Sequence, residues 1–218
     1  IATYAFTSCY LLTSVSFPEC IYIGNYAFYR CGSLTTAFFP NCSSIGSDAF
    51  YSCSALAELS FPKCSNIGSY AFHFCSTLTS VSFPECTSIG SGAFDSCGAL
   101  AKLSFPKCSN ISGYAFRSCR ALTEVSFPEC TYIGDGAFYN CSALSSIYFP
   151  KCSYVGRDVF YSCSALTEIN FPMCSYISDN AFRSCNTLSS VNLPICTTIS
   201  AYVFGGCNAL TSVVIPND

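Results

Sequence analysis

A repeat with a period of 22 positions runs through the whole chain. The 10 prolines form a column from Pro18 to Pro216, and each lies 22 positions after the one before it. A leucine column from Leu12 to Leu210 and a phenylalanine column from Phe6 to Phe204 keep the same spacing without an insertion. A unit of this size cannot bury its own apolar face, so successive units must stack and cover each other. The sequence therefore predicts a solenoid, in which the members of a column become neighbours in space.

Each unit carries the pattern of a short strand that ends in a turn. Val81 and Phe83 are apolar and alternate with serines, as expected of a strand with one buried side. Pro84 then ends the strand, and a second brief extended piece is expected near Ile89. Strands of successive coils run in the same direction, so we expect a parallel sheet with about 4.8 Å between coils.

The second half of the unit shows a different spacing. Ala93, Phe94, Cys97 and Leu100 lie at positions i, i+1, i+4 and i+7, which is typical of a helical turn with its apolar side facing inward. Gly90 permits a sharp corner before them. This half of the coil is therefore predicted to be a helical or 3₁₀ turn.

Together these patterns predict the fold class and the domain organisation. We expect an α/β-type repeat solenoid dominated by parallel β structure, with one solenoid over residues 1–218 and about ten coils, one for each repeat. Short strands should line the concave side, and helical or 3₁₀ turns should lie on the other side. The stack should curve because one half of each coil is wider than the other.

The repeat resembles a known family. Residues 12–23 carry Leu, Val, Phe, Cys and Ile in a pattern similar to the leucine-rich repeat frame L-x-x-L-x-L-x-x-(N/C)-x-L, with one extra residue before the last apolar position. Residues 67–75, IGSYAFHFC, are similar to the second half of BspA-like leucine-rich repeats. The resemblance covers essentially the whole chain. It implies a curved, right-handed solenoid of the kind found in surface or secreted proteins that adhere or bind proteins, and it implies no catalytic residue.

The 19 cysteines follow the repeat in two columns, Cys9 to Cys207 and Cys20 to Cys196, so neighbouring cysteines lie 11 positions apart. By the resemblance the Cys20 column faces inward after the strand, and by periodicity the Cys31 column also faces inward. A thiol there can fill a small apolar space and donate a weak hydrogen bond. The residues singled out as structural buried thiols are Cys20, Cys31, Cys86, Cys97, Cys108 and Cys119.

Two other roles for the cysteines remain open. Coils about 4.8 Å apart place column members within the Cα separation that a disulfide allows, although parallel side chains suit its torsion poorly. A zinc or iron–sulfur site usually draws on close pairs such as C-x₂-C, and no such pair occurs. We therefore predict mainly reduced thiols and no metal or cofactor.

Composition narrows the classes of partner. Hydrophobic residues make up 51% of the chain and charged residues 10%, which excludes disorder. The net charge of −3 and the lack of a basic cluster argue against nucleic acid. No apolar run approaches the roughly 18 residues of a membrane span, so membrane insertion is not expected.

Tyrosines are the most suggestive surface residues. Tyr132, Tyr154 and Tyr176 occupy one column on three successive coils, and Tyr139 and Tyr161 occupy another. Stacked rings offer the amphipathic area found at protein and carbohydrate interfaces, but they also suit β-rich surfaces as structural ladders.

Outward positions of the strands are mostly small and uniform. Four of the larger residues at these positions are the candidate partner contacts: Phe38, Tyr148, Glu124 and Glu168.

Catalysis has little support in the sequence. His73 is the only histidine, and no carboxylate or nucleophile set accompanies it in the repeat. A pair with Cys75 is conceivable, but a thiol in a buried column is hard to ionise. We predict no catalytic residue and no enzyme activity.

The function that these patterns favour is a non-enzymatic binding or adhesion scaffold, extracellular or at the cell surface. Its ligand would be a protein or carbohydrate on a host or neighbouring cell. The chain begins and stops within a repeat and shows no divergent cap, so we expect a fragment of a longer protein. The alternative is a structural protein whose uncapped coils stack end to end, because a bare parallel edge invites pairing.

Overall fold

The chain folds as a parallel β solenoid. The computed structural model describes residues 1–216, in which each coil covers one repeat and carries two short strands. About nine turns of this coil stack along the described residues. The stacking predicted from the proline and leucine columns is confirmed.

The strands are numbered β1 to β19 in chain order and form two rows. The first strand row consists of Ser14–Ser16 (β1), Thr36–Phe38 (β3), Glu58–Ser60 (β5), Ser80–Ser82 (β7), Lys102–Ser104 (β9), Glu124–Ser126 (β11), Ser146–Tyr148 (β13), Glu168–Asn170 (β15), Ser190–Asn192 (β17) and Ser212–Val214 (β19). The second strand row consists of Tyr22–Ile23 (β2), Ser44–Ile45 (β4), Asn66–Ile67 (β6), Ser88–Ile89 (β8), Asn110–Ile111 (β10), Tyr132–Ile133 (β12), Tyr154–Val155 (β14), Tyr176–Ile177 (β16) and Thr198–Ile199 (β18).

Strand pairing follows the sequence repeat. In the first row Val81 pairs with Leu103, and in the second row Ile89 pairs with Ile111, both in parallel and one repeat apart. Val81 is buried within β7, and Phe83, which follows the strand, is buried as well. The predicted parallel strands and the brief extended piece at Ile89 are therefore confirmed.

The half of each coil between the second and the first row, called the turn side below, is not helical. Ala93, Phe94, Cys97 and Leu100 are fully buried, as their spacing predicts. However, residues 1–216 contain no α-helix and no 3₁₀-helix. The predicted helical or 3₁₀ turns, and with them the α/β class, are wrong.

Backbone conformation explains why no helix forms on the turn side. Tyr70 and Phe74 have φ angles of 55° and 59°, in the left-handed region that interrupts a right-handed helix. The Phe72 amide donates to the Ala93 carbonyl of the next coil at 2.8 Å, whereas the Cys75 amide donates to the Phe72 carbonyl at 3.2 Å. Because some amides bond to the next coil and others close tight turns, the i→i−4 ladder of an α-helix cannot develop.

Two phenylalanine columns fill the core. On the turn side, neighbouring rings from Phe6 to Phe182 stack with centroids 5.1–5.4 Å apart. After the first strand row, neighbouring rings from Phe17 to Phe171 lie 5.3–6.0 Å apart. The columns also contact each other edge to face, as between Phe94 and Phe105 at 5.9 Å and 66°. Each such pair adds about 0.5–1.5 kcal/mol beyond the burial of its rings.

The two strand rows differ in continuity. All nine strands of the second row form one sheet, but the first row is divided into sheets of two, three, two and three strands. The breaks lie between β3 and β5, between β9 and β11, and between β13 and β15, and we call these three steps seams. At the paired steps an amide such as that of Phe83 donates to the next coil (Ser104 carbonyl, 3.0 Å). Within the described residues, the equivalent amides of Phe39, Phe105 and Phe149 make no such bond.

Each seam exposes part of the core. The middle residue of the strand before the seam is only half-buried, and these residues are Ala37, Leu103 and Ile147. The phenylalanine rings that flank the three seams are 5.9, 5.9 and 6.0 Å apart. Around the paired steps from β5 to β9 and from β11 to β13 the corresponding separations are 5.3, 5.4 and 5.5 Å, and around the paired step from β1 to β3 the separation is 5.9 Å. The first row is therefore held less tightly than the rest of the coil.

Three predictions about the fold are left without a test. Curvature, right-handed coiling and the concave position of the strands stay predictions. The single solenoid predicted over residues 1–218 includes 217 and 218, which lie outside the described residues. Among residues 1–216, no helix has the length and apolar character needed to cross a membrane.

Candidate functional site

The tyrosines predicted to form one column lie side by side on the second strand row. Tyr132, Tyr154 and Tyr176 are in register on β12, β14 and β16. Their ring centroids are 5.2 Å apart at both steps, and the ring planes differ by 7° and 2°. We call this three-ring stack the tyrosine ladder.

The strand pattern explains why these rings face outward. In each second-row strand the residue after the tyrosine is buried, namely Ile133, Val155 and Ile177, so the tyrosine itself points to the other side. Tyr132 is 40% exposed, while the other two are partly covered. Burial, followed by the negative charge of Asp135, raises the pKa of Tyr154. The ladder thus presents aromatic rings and hydroxyl groups along three coils.

The second predicted tyrosine column lies on the turn side. Tyr139 and Tyr161 stack with centroids 4.9 Å apart and an interplanar angle of 8°. The Arg183 guanidinium lies 5.9 Å from the centre of the Tyr161 ring, within range of a cation–π contact. Earlier in the same column, Tyr29 and Tyr51 stack at 4.8 Å. These rings are separated from the tyrosine ladder by the corner of the coil.

The candidates on the first strand row do not form one cluster. Phe38 on β3 and Tyr148 on β13 are 58% and 56% exposed, but they lie five coils apart. Glu124 on β11 is exposed beside the strand of Tyr148, whereas Glu168 on β15 is exposed across the third seam. The residues predicted from sequence therefore occupy three separate surfaces.

Phe38 has a cavity beside it at the first seam. An open cavity of about 410 Å³ is lined by Phe38, Ala37 and Glu58, among others. A residue from each side of the seam thus contributes to its wall. Phe38 is therefore a first-row candidate with a cavity next to it.

All 19 cysteines are unpaired, and their thiols form two sets of hydrogen bonds. In the turn-side column the thiol donates to a phenylalanine carbonyl of the preceding coil, as from Cys97 to Phe72 at 3.1 Å. In the other column it donates to the carbonyl two residues ahead, as from Cys86 to Ser88 at 3.2 Å. Each bonded thiol therefore supplies a donor to a backbone carbonyl of the coil.

Burial differs among the thiols singled out from sequence. Cys31, Cys86, Cys97, Cys108 and Cys119 have no exposed surface. Cys20 is only partly buried, so its prediction as a buried thiol is wrong. The reason is its place in the first coil, where the described residues provide a neighbouring coil on one side only.

Burial also governs the chemistry of these thiols. It raises the pKa of Cys86, Cys108 and Cys130 to about 12 and that of Cys75 well above its ordinary value. The thiolate is the nucleophile and the metal ligand, and it is scarce at neutral pH when the pKa is this high. Cys75 donates to the Phe50 carbonyl and lacks the environment of an activated nucleophile.

A buried polar cluster was missed in the sequence. His73, Asp95 and Arg117 occupy three successive coils of the column that holds Tyr51 and Tyr139. The Arg117 guanidinium grips the Asp95 carboxylate twice, at 3.1 Å from Nε to Oδ1 and at 2.9 Å from Nη2 to Oδ2. The Asp95 side chain is 2% exposed and that of Arg117 is 44% exposed, so the carboxylate is buried while the guanidinium side chain reaches the surface. The signal that could have revealed the cluster is the interruption of a tyrosine column by opposite charges one repeat apart.

His73 is the unsatisfied member of that cluster. It is 9% exposed, its Nε2 lies 3.9 Å from Asp95 Oδ2, and neither ring nitrogen has a hydrogen-bond partner within residues 1–216. Burial lowers the pKa of His73, and the Asp95 charge opposes this effect only in part. Among residues 1–216, no group of three or more His, Cys, Asp or Glu side chains is placed to hold a metal ion.

Comparison with known proteins gives a consistent result. A family model described as BspA type leucine rich repeat region (6 copies) matches residues 1–123 and 109–218. No curated protein matches the chain in sequence.

Solved structures share the fold. The leucine rich repeat protein TpLRR of T. pallidum is 31% identical with a TM-score of 0.55, over 76% of this chain and 70% of that one. A leucine-rich repeat protein from Eubacterium ventriosum is 20% identical with a TM-score of 0.64, over 99% of this chain and 76% of that one. One from Bacteroides ovatus is 23% identical with a TM-score of 0.50, over 98% and 82% of the two chains.

Proposed function

The chain belongs to the BspA type leucine-rich repeat family, and from this premise we propose that it is a non-enzymatic scaffold that binds a protein or carbohydrate ligand through the tyrosine ladder. The observation that carries the proposal is the parallel stack of Tyr132, Tyr154 and Tyr176. The ligand would belong to a host or neighbouring cell, and the scaffold would stand outside the cell or on its surface.

The geometry of the ladder suits recognition. Tyrosine combines a rigid apolar ring with a polar tip, so it gains contact area while losing little side-chain entropy. Three rings in register extend over three coils, which is long enough to contact several units of an extended ligand. The strands beneath the rings belong to the continuous second row, so the ladder is built on the better-bonded strand row.

The chemistry of the interior supports a scaffold rather than an enzyme. The buried cysteine thiols have a raised pKa, and the only histidine faces a carboxylate already held by Arg117. Neither arrangement provides an activated nucleophile with a base in hydrogen-bond reach.

The test replaces Tyr132, Tyr154 and Tyr176 with serine and measures binding to a panel of immobilised glycans and extracellular-matrix proteins. The matched control replaces Tyr29 and Tyr51, which form a comparable stack on the turn side. We expect the parent chain to bind at least one panel member, the ladder variant to lose that binding at least about ten-fold, and the control to retain it. Equal binding by the parent and the ladder variant, with both folded by circular dichroism, would contradict the proposal.

A second candidate function is end-to-end self-association. Val213, Val214 and Ile215, in and after β19, are 44%, 55% and 48% exposed and would supply apolar contact area in such an association. Light scattering over a range of concentrations tests it. Growth of the particle mass with concentration supports association, and a constant monomer mass opposes it.

A further inference from the structure

We propose that a cavity on the turn side, lined by Phe74, Ser96, Gly98, Ser118 and Arg120, binds an acidic sugar through its carboxylate and ring hydroxyls. This site is distinct from the tyrosine ladder, and the proposal does not rest on the function proposed above. The cavity has a volume of about 310 Å³, at the lower end of the roughly 300–1,000 Å³ that small-molecule sites occupy. It would therefore hold one sugar unit, either free or as part of a longer glycan.

Arg120 supplies the group that would bind a carboxylate. Its column holds glycine, serine or asparagine in the surrounding coils, from Gly32 to Asn208, and Arg120 is its only charged residue. The side chain is exposed and, within the described part of the chain, makes no ion pair or side-chain hydrogen bond. A guanidinium fork matches a carboxylate with two parallel hydrogen bonds.

The space in front of Arg120 is left open by Gly98, one coil earlier in the same column. A Cβ atom built on Gly98 meets no heavy atom within 4 Å, so a side chain there would project into free space. The missing side chain leaves room for a ligand beside the guanidinium.

Two serines give the cavity its polar wall. The Ser96 hydroxyl donates to Asp95 Oδ1 at 3.0 Å, so towards a ligand it can only accept a hydrogen bond. Ser118 has no side-chain hydrogen bond among the described residues and can donate or accept. An acceptor beside a free hydroxyl suits the hydroxyl groups of a sugar better than a bare anion.

Phe74 supplies an apolar wall of the cavity. It is 45% exposed and has a φ of 59°, and it is the only aromatic residue in a column that is mainly serine. This φ is shared by the column, in which Ser52, Ser96 and Ser118 have φ angles of 55°, 61° and 58°, so the aromatic ring and not the backbone distinguishes this coil. An exposed ring of this kind can pack against the C–H face of a sugar.

The charges next to the cavity leave it receptive to an anion. Asp95 is the nearby carboxylate, and Arg117 neutralises it through two contacts of 3.1 and 2.9 Å. Arg120 then remains as an uncompensated positive charge. The Phe74 ring also covers His73, at 4.0 Å between ring centroids, and both nitrogens of this histidine lack a partner.

The test is a titration of the full chain with glucuronate, followed by calorimetry or by NMR shifts. Glucose serves as the neutral ligand of the same shape, and acetate as the carboxylate without a ring. We expect glucuronate to bind at least about ten-fold more tightly than either, because only glucuronate uses both the guanidinium and the hydroxyl wall. Arg120→Ser, which copies the residue of neighbouring coils, should weaken glucuronate at least about ten-fold, and Phe74→Ser should weaken it several-fold.

Arg30→Ser, in another coil of the turn side, is the matched control and should leave binding unchanged. Three outcomes would overturn the proposal. They are no binding of glucuronate at millimolar concentration, equal binding of acetate and glucuronate, and unchanged affinity in a folded Arg120→Ser variant. None of these outcomes depends on the tyrosine ladder, so failure here and failure of the proposed function are separable.

Discussion

The turn side and the first strand row are built from the same repeat, but they are bonded differently. On the turn side, the phenylalanine amides from Phe6 to Phe182 donate to the next coil at 2.7–3.0 Å at all nine steps. In the first row the equivalent ladder is interrupted at three seams. The first strand row, whose alternating pattern is the clearest strand signal in the sequence, is therefore not the continuous part of the solenoid.

This difference shows what keeps the coils in register. Tight turns, amides directed at the next coil and closely stacked rings hold the turn side at a short spacing. The first row lies on the same coils but lacks the backbone hydrogen bonds to the next coil at three of its steps. Half-buried Ala37, Leu103 and Ile147 mark the places where this occurs.

Alkaline pH should break both regions and gives the largest effect. A thiol with a raised pKa in the folded state is protonated in both states below its ordinary pKa of 9.0. Between pH 9 and about 12 the unfolded chain releases the proton first, so stability falls by about 1.4 kcal/mol per pH unit for each buried thiol. With many such thiols, we expect the chain to be stable at pH 8 and unfolded before pH 11, as followed by circular dichroism with a reducing agent present.

Cysteine variants measure how much each thiol column contributes to this pH dependence of stability. Replacing Cys119 and Cys141 by alanine on the turn side should reduce the pH slope by about 3 kcal/mol per pH unit. The matched pair Cys108 and Cys130 in the other column should give a similar reduction, since burial raises the pKa in both columns. A parent chain whose melting temperature is the same at pH 8 and pH 11 would rule out buried, protonated thiols.

Two leucines in the first row compare a well-covered position with a half-buried one. Leu59 is 5% exposed in β5, whereas Leu103 in β9 is half-buried beside the second seam. We expect Leu59→Ala to cost about 2–5 kcal/mol and Leu103→Ala about half as much, because less surface is lost from the core. Denaturant unfolding measures both. Equal losses would mean that the seam is closed in solution.

Two glycines compare a position where neighbouring coils pack closely with a position that is open. A Cβ on Gly68 would lie 2.5 Å from Gly46 and Ser47 of the preceding coil, but a Cβ on Gly98 meets nothing within 4 Å. Gly68→Ala should therefore cost about 1–3 kcal/mol, and Gly98→Ala should be close to neutral. If thermal unfolding shows no difference between the two variants, the coils are not packed this closely where the turn side begins.

The smallest loss of stability is expected from breaking an exposed ion pair between the two strand rows. Lys107 and Glu85 form an ion pair at 2.6 Å on neighbouring coils, with side chains 55% and 49% exposed. Removing Lys107 should cost less than about 1 kcal/mol, because an exposed pair is screened by water and salt. Thermal unfolding at low and at high salt measures this loss of stability. A larger loss would mean that the charge pairs, and not the core, hold the coils in register.

The sequence predicted the solenoid because its columns are strict, and the paired register of Val81 with Leu103 confirms them. It could not reveal the turn geometry, because burial of Ala93, Phe94, Cys97 and Leu100 fits both a helix and a series of tight turns. Only the left-handed residues of the turn, which are mostly serine, tyrosine or aspartate, separate these possibilities.

The seams and the polar cluster differ in how predictable they were. Residues 58–60 and 102–104 read Glu-Leu-Ser and Lys-Leu-Ser, so strand sequence does not reveal which strand precedes a seam. In contrast, Asp95 and Arg117 stand one repeat apart in a tyrosine column, and a search for opposite charges at that interval would have found them.

Amide hydrogen exchange tests the central claim most directly, because it compares equivalent residues of one column. The amides of Phe61, Phe83 and Phe127 are bonded to the next coil, whereas those of Phe39, Phe105 and Phe149 face the seams. We predict that the three seam amides exchange markedly faster than the three bonded ones, while the turn-side amides of the same coils stay protected. Equal protection of both groups would show that the first strand row is as continuous as the turn side, and would contradict the account.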